Sequence, residues 1–281
     1  MLRLITVTGS RTNTLYHTLK HYAHLVDEMW VIVYEWDGFS TYDDVIKITS
    51  QFKNAIVKRS GPMEKFNWNH VTDLYNKYKN EHPNDWWIIS DDDEMHVYSA
   101  PLYQIIMECD KNGYEMVRGG FIDRLGPDGT FPEINDTEHI FEQFPTAGFF
   151  RYPLSYACPN KICLAKGHIK VTPGQHYAEV NGSTTWRWQG WNHPLIHPTA
   201  SVQVHHFKWD STCIDRIKAV ADVQSKNSFS EEYKVMYNAL KNNNFKVDIT
   251  DKRFMIETGL TNPEFNLYKQ WNKLFNIIKS I

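Results

Sequence analysis

The sequence predicts an α/β protein built on a Rossmann-like parallel sheet. Two observations carry that expectation. Apolar runs of strand length alternate with amphipathic helical stripes from residue 1 to about 95. The fourth run, Trp86-Trp87-Ile88-Ile89-Ser90, then ends abruptly in Asp91-Asp92-Asp93-Glu94. Open α/β sheets bind ligands beyond the carboxyl ends of their strands, so the place of the acids matters as much as their number.

Leu2 to Val7 reads as the first strand, ending at Thr8-Gly9-Ser10-Arg11. Leu15, Leu19 and Tyr22 share one side of a helix over Leu15 to His24. Met29 to Tyr34 is a second apolar strand, ending at Glu35-Trp36-Asp37-Gly38, followed by a helix over Asp43 to Phe52 and a short strand from Ala55 to Lys58. Val71, Leu74, Tyr75 and Tyr78 have helical spacing, predicting a helix from Lys65 to Lys79. Residues 114 to 210 are punctuated by Gly and Pro, with short β-like runs at Tyr114–Arg118, Lys161–Leu164 and Ser201–Phe207, which reads as mixed sheet with long loops. Helical stripes follow: Ile214, Ile217, Val220 and Ala221; then Tyr233, Met236, Tyr237 and Leu240 behind a Ser228-x-x-Glu231 capping box; then Phe265, Tyr268, Trp271 and Phe275 behind Asn262-Pro263.

Length and composition narrow the class. A chain of 281 residues with 42% hydrophobic content holds one large domain, or a core domain with a small appendage. A formal net charge of −3 makes no global case for nucleic acid or an anionic membrane. The four cysteines, Cys109, Cys158, Cys163 and Cys213, form neither a CxxC pair nor a disulfide framework, so reduced thiols in a cytoplasmic protein are expected. No segment has the length of a membrane span. The ten Trp read first as bulky core, and second as surfaces for stacking sugars or bases.

Four adjacent carboxylates repel one another, and solvation or a divalent cation would relieve them. In an extended chain Asp91 and Asp93 would share one face and could offer two oxygens to a hard metal. Further along, Val202-Gln203-Val204-His205-His206-Phe207 alternates, so only one of the two histidines can face a given site. Lys65 and Asn69, one helical turn apart, could reach a phosphate and a nucleotide or sugar, with a solvated helix face as the alternative. Arg11 follows the first strand where a cation could meet a nucleotide. Asp123, in Phe121-Ile122-Asp123-Arg124, is the first candidate for a general base, with a structural ion pair to Arg124 or another cation as the alternative and Glu142 and Glu179 behind it. Trp186-Arg187-Trp188-Gln189-Gly190-Trp191 could line an acceptor groove or form a packed lid.

The acidic run resembles the Asp-x-Asp motif of nucleotide-sugar-dependent glycosyltransferases with the GT-A fold, in particular their family-2-like members. Other segments are similar to the same group in order: Lys65-x-x-x-Asn69, Ile122-Asp123-Arg124 with Asp128-Gly129, Glu142-Gln143-Phe144-Pro145, Lys161-Ile162-Cys163-Leu164, Gly174-Gln175-His176 and His205-His206-Phe207-Lys208-Trp209. The chain departs from the group where the second strand ends, at Glu35-Trp36-Asp37-Gly38 in place of an Asp- and Ser-rich end. The resemblance implies a GT-A mixed sheet flanked by helices over residues 1–210, with a helical extension over 211–281 packed on the same body. It implies transfer of a sugar, from a nucleotide diphosphate donor of the UDP-sugar kind, to a glycan hydroxyl. Mn²⁺ or Mg²⁺ suits such a set of carboxylate and phosphate oxygens. Asp93 would hold the metal and Asp91 the metal or the ribose. His206 would add a ligand, with His176 as its rival. Thr8, Arg11, Glu35, Lys65 and Asn69 would contact the donor. A hydroxylated DNA base as acceptor, or a non-catalytic Ca²⁺-dependent carbohydrate binder, are the alternatives.

Overall fold

The computed structural model describes residues 1–9, 11–36, 38–64, 67–148, 160–185, 193–222 and 228–250. In chain order its elements are β1 (Leu2–Thr8), α1 (Leu15–Tyr22), β2 (Glu28–Trp36), α2 (Tyr42–Thr49), β3 (Ala55–Met63), α3 (Trp68–Lys79), β4 (Trp86–Ile89), β5 (Glu94–Tyr98), α4 (Leu102–Asn112), β6 (Met116–Leu125), α5 (Ile140–Gln143), β7 (Thr146–Gly148), β8 (Asn160–Lys166), β9 (Lys170–Val171), β10 (Ala178–Val180), β11 (Ser183–Thr184), β12 (Val202–His206), α6 (Cys213–Asp222) and α7 (Ser228–Asn242). The expected class is observed: α/β, with a mixed sheet flanked by helices. The chain divides into two compact units, Met1–Gly120 with Asn160–Val204, and Phe121–Pro159 with His205–Ile281.

In the first unit the strand order is β3-β2-β1-β4-β8-β6-β12-β5. Strands β3, β2, β1 and β4 run parallel, and β8 joins β4 antiparallel. The chain winds from β1 outward to β3, then crosses back to place β4 on the other side of β1. That reversal puts the ends of β1 and β4 side by side at a topological switch point, the place where doubly wound sheets open a crevice. The central strands are apolar because both faces are covered: Met29 to Val33 of β2 and all of β4 are buried. Helix α1 buries Leu15, Leu19 and Tyr22, as its spacing predicts.

Three boundaries differ from expectation, each for a physical reason. Helix α3 begins at Trp68, not Lys65, because Asn67 is extended and its Oδ1 accepts the Asn69 N–H at 2.9 Å, an N-cap. Strand β3 continues past Lys58 to Met63, through Gly61-Pro62; it is an edge strand, where a residue without an N–H is tolerated. Strand β6 runs ten residues through Gly119-Gly120, past Arg118, the expected end of the β-like run. A Cβ on Gly119 would lie 2.4 Å from Cys163 Sγ and 2.7 Å from the Val202 carbonyl, so glycine serves close strand contact there and not a turn.

The second unit holds the end of β6, which pairs antiparallel with β7 from Asp123 to Leu125. Helices α6 and α7 share a core with Leu125, Trp209, Ile217, Met236, Leu240 and Val247. The helix expected after Pro263 and the Trp186–Trp191 cluster lie outside the described residues. Among the described residues the cysteines 109, 163 and 213 are free and buried, and no helix is long and apolar enough to cross a membrane. Gly119→Ala is expected to destabilise the protein by about 1–3 kcal/mol through overpacking. Urea denaturation should show a lower midpoint with an unchanged slope.

Candidate functional site

The four acids form a turn and not a strand. The Glu94 N–H donates to the Asp91 carbonyl at 3.1 Å, closing the turn, and β5 begins at Glu94. The expected sharing of a face by strand alternation is therefore incorrect for Asp91 and Asp93, because the strand ends at Ile89. Buried hydroxyls set the turn's shape. Tyr75 of α3 donates to Asp91 Oδ1 at 2.7 Å and accepts the Val7 N–H at 3.2 Å, tying the turn to the end of β1. Thr18 of α1 donates to the Asp92 carbonyl at 2.7 Å, and Ser90 Oγ to the Glu94 carbonyl at 2.8 Å.

Two cations come to the acids. Arg11, just past β1, pairs with Asp93. Lys161 of β8 is fully buried and reaches Asp91 Oδ2 at 2.8 Å and Glu94 Oε1 at 2.9 Å, and it also donates to the side-chain oxygen of Gln175. Burial alone would strip Lys161 of its proton; Asp91 and Glu94 more than reverse this and hold it charged. Burial likewise opposes ionisation of Asp91, but Lys161 holds that carboxyl below the usual range. Glu94, wholly buried, is pushed well up by burial despite Lys161. Asp92 is pushed up to about 7, first by burial and then by the charge of Asp93. Among the described residues the turn thus gathers four carboxyl groups around two cations, Arg11 and Lys161.

The sequence motif contained Lys161 but assigned it no role. Its signal was there: a lysine inside the apolar run Asn160-Lys161-Ile162-Cys163-Leu164-Ala165 must be paired if the strand is buried. Gln175 adopts a left-handed backbone, φ 52°, in the Gly174-Gln175-His176 segment that places its amide against Lys161. His176 itself is held by the Asn160 carbonyl at 2.8 Å, and burial lowers it to about 4, so it is neutral at ordinary pH.

Other candidates fall elsewhere. Thr8 donates to the Arg11 carbonyl at 3.0 Å and shapes the loop after β1. Glu35 at the end of β2 is gripped by Arg59 at 2.8 and 2.6 Å and by Ser40 at 2.7 Å; the guanidinium holds its carboxyl below the usual range. Beside it the rings of Trp36 and Phe39 stack with centroids 4.5 Å apart. Asn69 lines an open cleft of about 580 Å³ with Thr72, Asn76, Lys170 and Glu179, and none of Asp91, Asp92, Asp93 and Glu94 lines that cleft. Lys65, expected to share a helix face with Asn69, lies outside the described residues.

In the second unit, Asp123 and Arg124 of β6 take different partners. Asp123 Oδ1 accepts from Trp209 Nε1 at 2.8 Å and bonds His206 Nδ1 at 3.1 Å. Arg124 donates to His205 Nδ1 at 3.1 Å and to the Phe144 and Pro145 carbonyls at 3.3 Å. The ion pair between Asp123 and Arg124 considered from sequence is not among these contacts. His205 is buried against Phe141, ring centroids 5.0 Å apart.

No protein-family profile matches the chain, and no curated protein sequence matches it. Solved structures do. Residues 1–349 of TarS from S. aureus in complex with UDP align at TM-score 0.40 and 10% identity, over 85% of this chain and 71% of that one. A glucose-1-phosphate thymidylyltransferase from Bacillus anthracis, solved in complex with a sucrose, aligns at TM-score 0.31 and 11% identity, over 86% and 84%. Mannose-6-phosphate isomerase from Helicobacter pylori aligns at TM-score 0.32 and 15% identity over 46% of this chain, which spans only 57% of that protein. Likenesses this loose transfer no activity.

Two predictions follow from the charge pattern. Lys161→Met strands Asp91 and Glu94 without their cation and should cost about 3–5 kcal/mol in chemical denaturation. Adding Glu94→Gln should recover part of that loss. Asp92 gives a pH signature: from 3.8 up to about 7 the folded protein keeps a proton that the unfolded chain has released, so metal-free stability falls as pH rises through that window. Asp92→Asn should flatten that fall in denaturation midpoints measured across the same range.

Proposed function

We propose that this chain is a divalent-cation-dependent glycosyltransferase that moves a sugar from a nucleotide diphosphate donor, a UDP-sugar, to a glycan hydroxyl. The observation that carries the proposal is the acid turn at the switch point of the sheet, rigidly braced and gathering four carboxyl groups beyond the end of β4. The donor set, carboxylate oxygens, fits a hard cation, and burial with the charge of Asp93 pushes Asp92 up to about 7.

When bound, Mn²⁺ or Mg²⁺ would stabilise the negative charge that develops on the departing nucleoside diphosphate. Asp93 is the proposed metal ligand. Asp91 is fixed by Tyr75 and Lys161 and stays ionised, so it is ready to hold either the metal or a donor hydroxyl. Arg11 brings a guanidinium to Asp93, from which it can turn to a phosphate oxygen. Thr8, Glu35 with Arg59, Lys65 and Asn69 remain proposed donor contacts, and His206 a proposed further ligand. In the transfer, the bond from the anomeric carbon to the diphosphate breaks, the acceptor oxygen takes that carbon, and its proton must leave.

Turnover of a panel of nucleotide sugars, including hydrolysis without acceptor, separates an enzyme from a binder. EDTA should abolish turnover and Mn²⁺ or Mg²⁺ restore it; full activity in chelator would overturn the metal assignment. Asp93→Asn should lower the rate by about 10²-fold or more while the melting temperature changes little, since the amide can still accept from Arg11.

A further inference from the structure

Resting on the metal-dependent reading above, we infer that Asp123 is a positioning residue that sets the tautomer of His206 and turns its Nε2 into a metal ligand. Asp123 had been the first candidate for the base that takes the acceptor's proton. The geometry gives it other work.

Asp123 is 6% exposed, and its Oδ1 is the convergence point of two ring nitrogens. Trp209 Nε1, which can only donate, lies 2.8 Å away and belongs to a side chain with no exposure. His206 Nδ1 lies at 3.1 Å from the same oxygen. An ionised carboxylate accepts and cannot donate, so the proton of a neutral imidazole sits on Nδ1 and the lone pair on Nε2. The Phe121 ring, 4.9 Å from that of His206 and tilted 31°, restricts its rotation. A carboxylate bonded to one nitrogen of a histidine whose other nitrogen binds metal is a recurrent arrangement, and it raises the basicity of the ligand. Imidazole suits Mn²⁺ acceptably among such ligands.

The pattern has an internal control. His205 is the neighbour of His206, yet it accepts at Nδ1 from Arg124, a pure donor. Its neutral ring therefore carries its proton on Nε2, the opposite tautomer. Adjacent residues of one strand thus have opposite proton placements, imposed by adjacent residues of another strand, Asp123 and Arg124.

Imidazole ¹⁵N NMR on metal-free protein, above the pH where histidine protonates, reads this directly, with the signals assigned through His206→Ala and His205→Ala. His206 should carry Nδ1–H and His205 Nε2–H. Asp123→Ala should move His206 away from the Nδ1–H form, whereas Asp123→Asn, which keeps an acceptor oxygen and the side-chain shape, should largely preserve it. An Nε2–H His206 in the wild type would overturn the proposal. Mn²⁺ titrations followed by electron paramagnetic resonance, with UDP present, supply the second readout. Asp123→Ala should weaken Mn²⁺ binding by about 10–100-fold, and His206→Ala by at least as much. Combining the two should be no worse than His206→Ala alone, because Asp123 acts through His206. Equal losses in both backgrounds, or intact Mn²⁺ affinity with collapsed turnover in Asp123→Asn, would return Asp123 to the role of base. If wild type binds no Mn²⁺, the metal reading itself fails. If wild type binds it and His206→Ala binds it equally, only the present inference fails.

Discussion

The ammonium group of Lys161 sits fully buried among Asp91, Glu94 and Gln175, and the acid turn depends on it. Four carboxyl groups in sequence at the end of a buried strand would otherwise repel one another in a setting too dry to screen them. Lys161 gives two of them a partner at hydrogen-bonding distance and leaves its remaining proton to an amide. All three of its donors are then used, which is the condition for burying a charge without penalty beyond its desolvation. The strained backbone of Gln175 is one cost of that arrangement, and it falls beside the site, where such strain tends to collect.

Fixing the turn also fixes what it can do. The switch point of a doubly wound sheet is a crevice because two neighbouring strands send their chains to opposite sides. Here those strands are β1 and β4, so the loop holding Arg11 and the turn holding Asp93 meet by topology alone. Tyr75 braces the meeting from α3, bonding both the end of β1 and Asp91. Its hydroxyl is buried and burial pushes its titration well up, so it stays a neutral donor and acceptor at any working pH.

Much of this was legible in the residues. The alternation of apolar runs and helical stripes yields β1 to β4 and α1 to α3 in order, because each element answers to a local period. The boundaries that moved did so through partners remote in sequence. The run read as Tyr114–Arg118 continues through Gly119, whose close neighbours, Cys163 and Val202, are remote in sequence. The strand read as ending at Lys58 continues to Met63, through a Pro62 that an edge tolerates, and nothing local says that β3 lies at an edge. At the site, residue types were readable and pairings were not. Asp91 and Asp93 were read on an extended chain, whereas a turn carries them; Lys161 is seventy residues from Asp91, and only the fold brings them together.

What emerges is a set of like side chains made unlike by their surroundings. Asp91 is held ionised by Lys161, Asp92 is pushed up to about 7 by burial and by Asp93, and Glu94 is pushed well up by burial. Three neighbouring carboxyls therefore hold their protons differently at one pH, which is how a fold assigns separate roles to identical chemistry. The histidines of β12 follow the same rule with tautomers in place of charge. A donor beside His205 and an acceptor beside His206 give two adjacent rings opposite proton placements. In both places the residue that decides the chemistry is not the one the motif displays but the partner behind it: Lys161 behind Asp91, Asp123 behind His206.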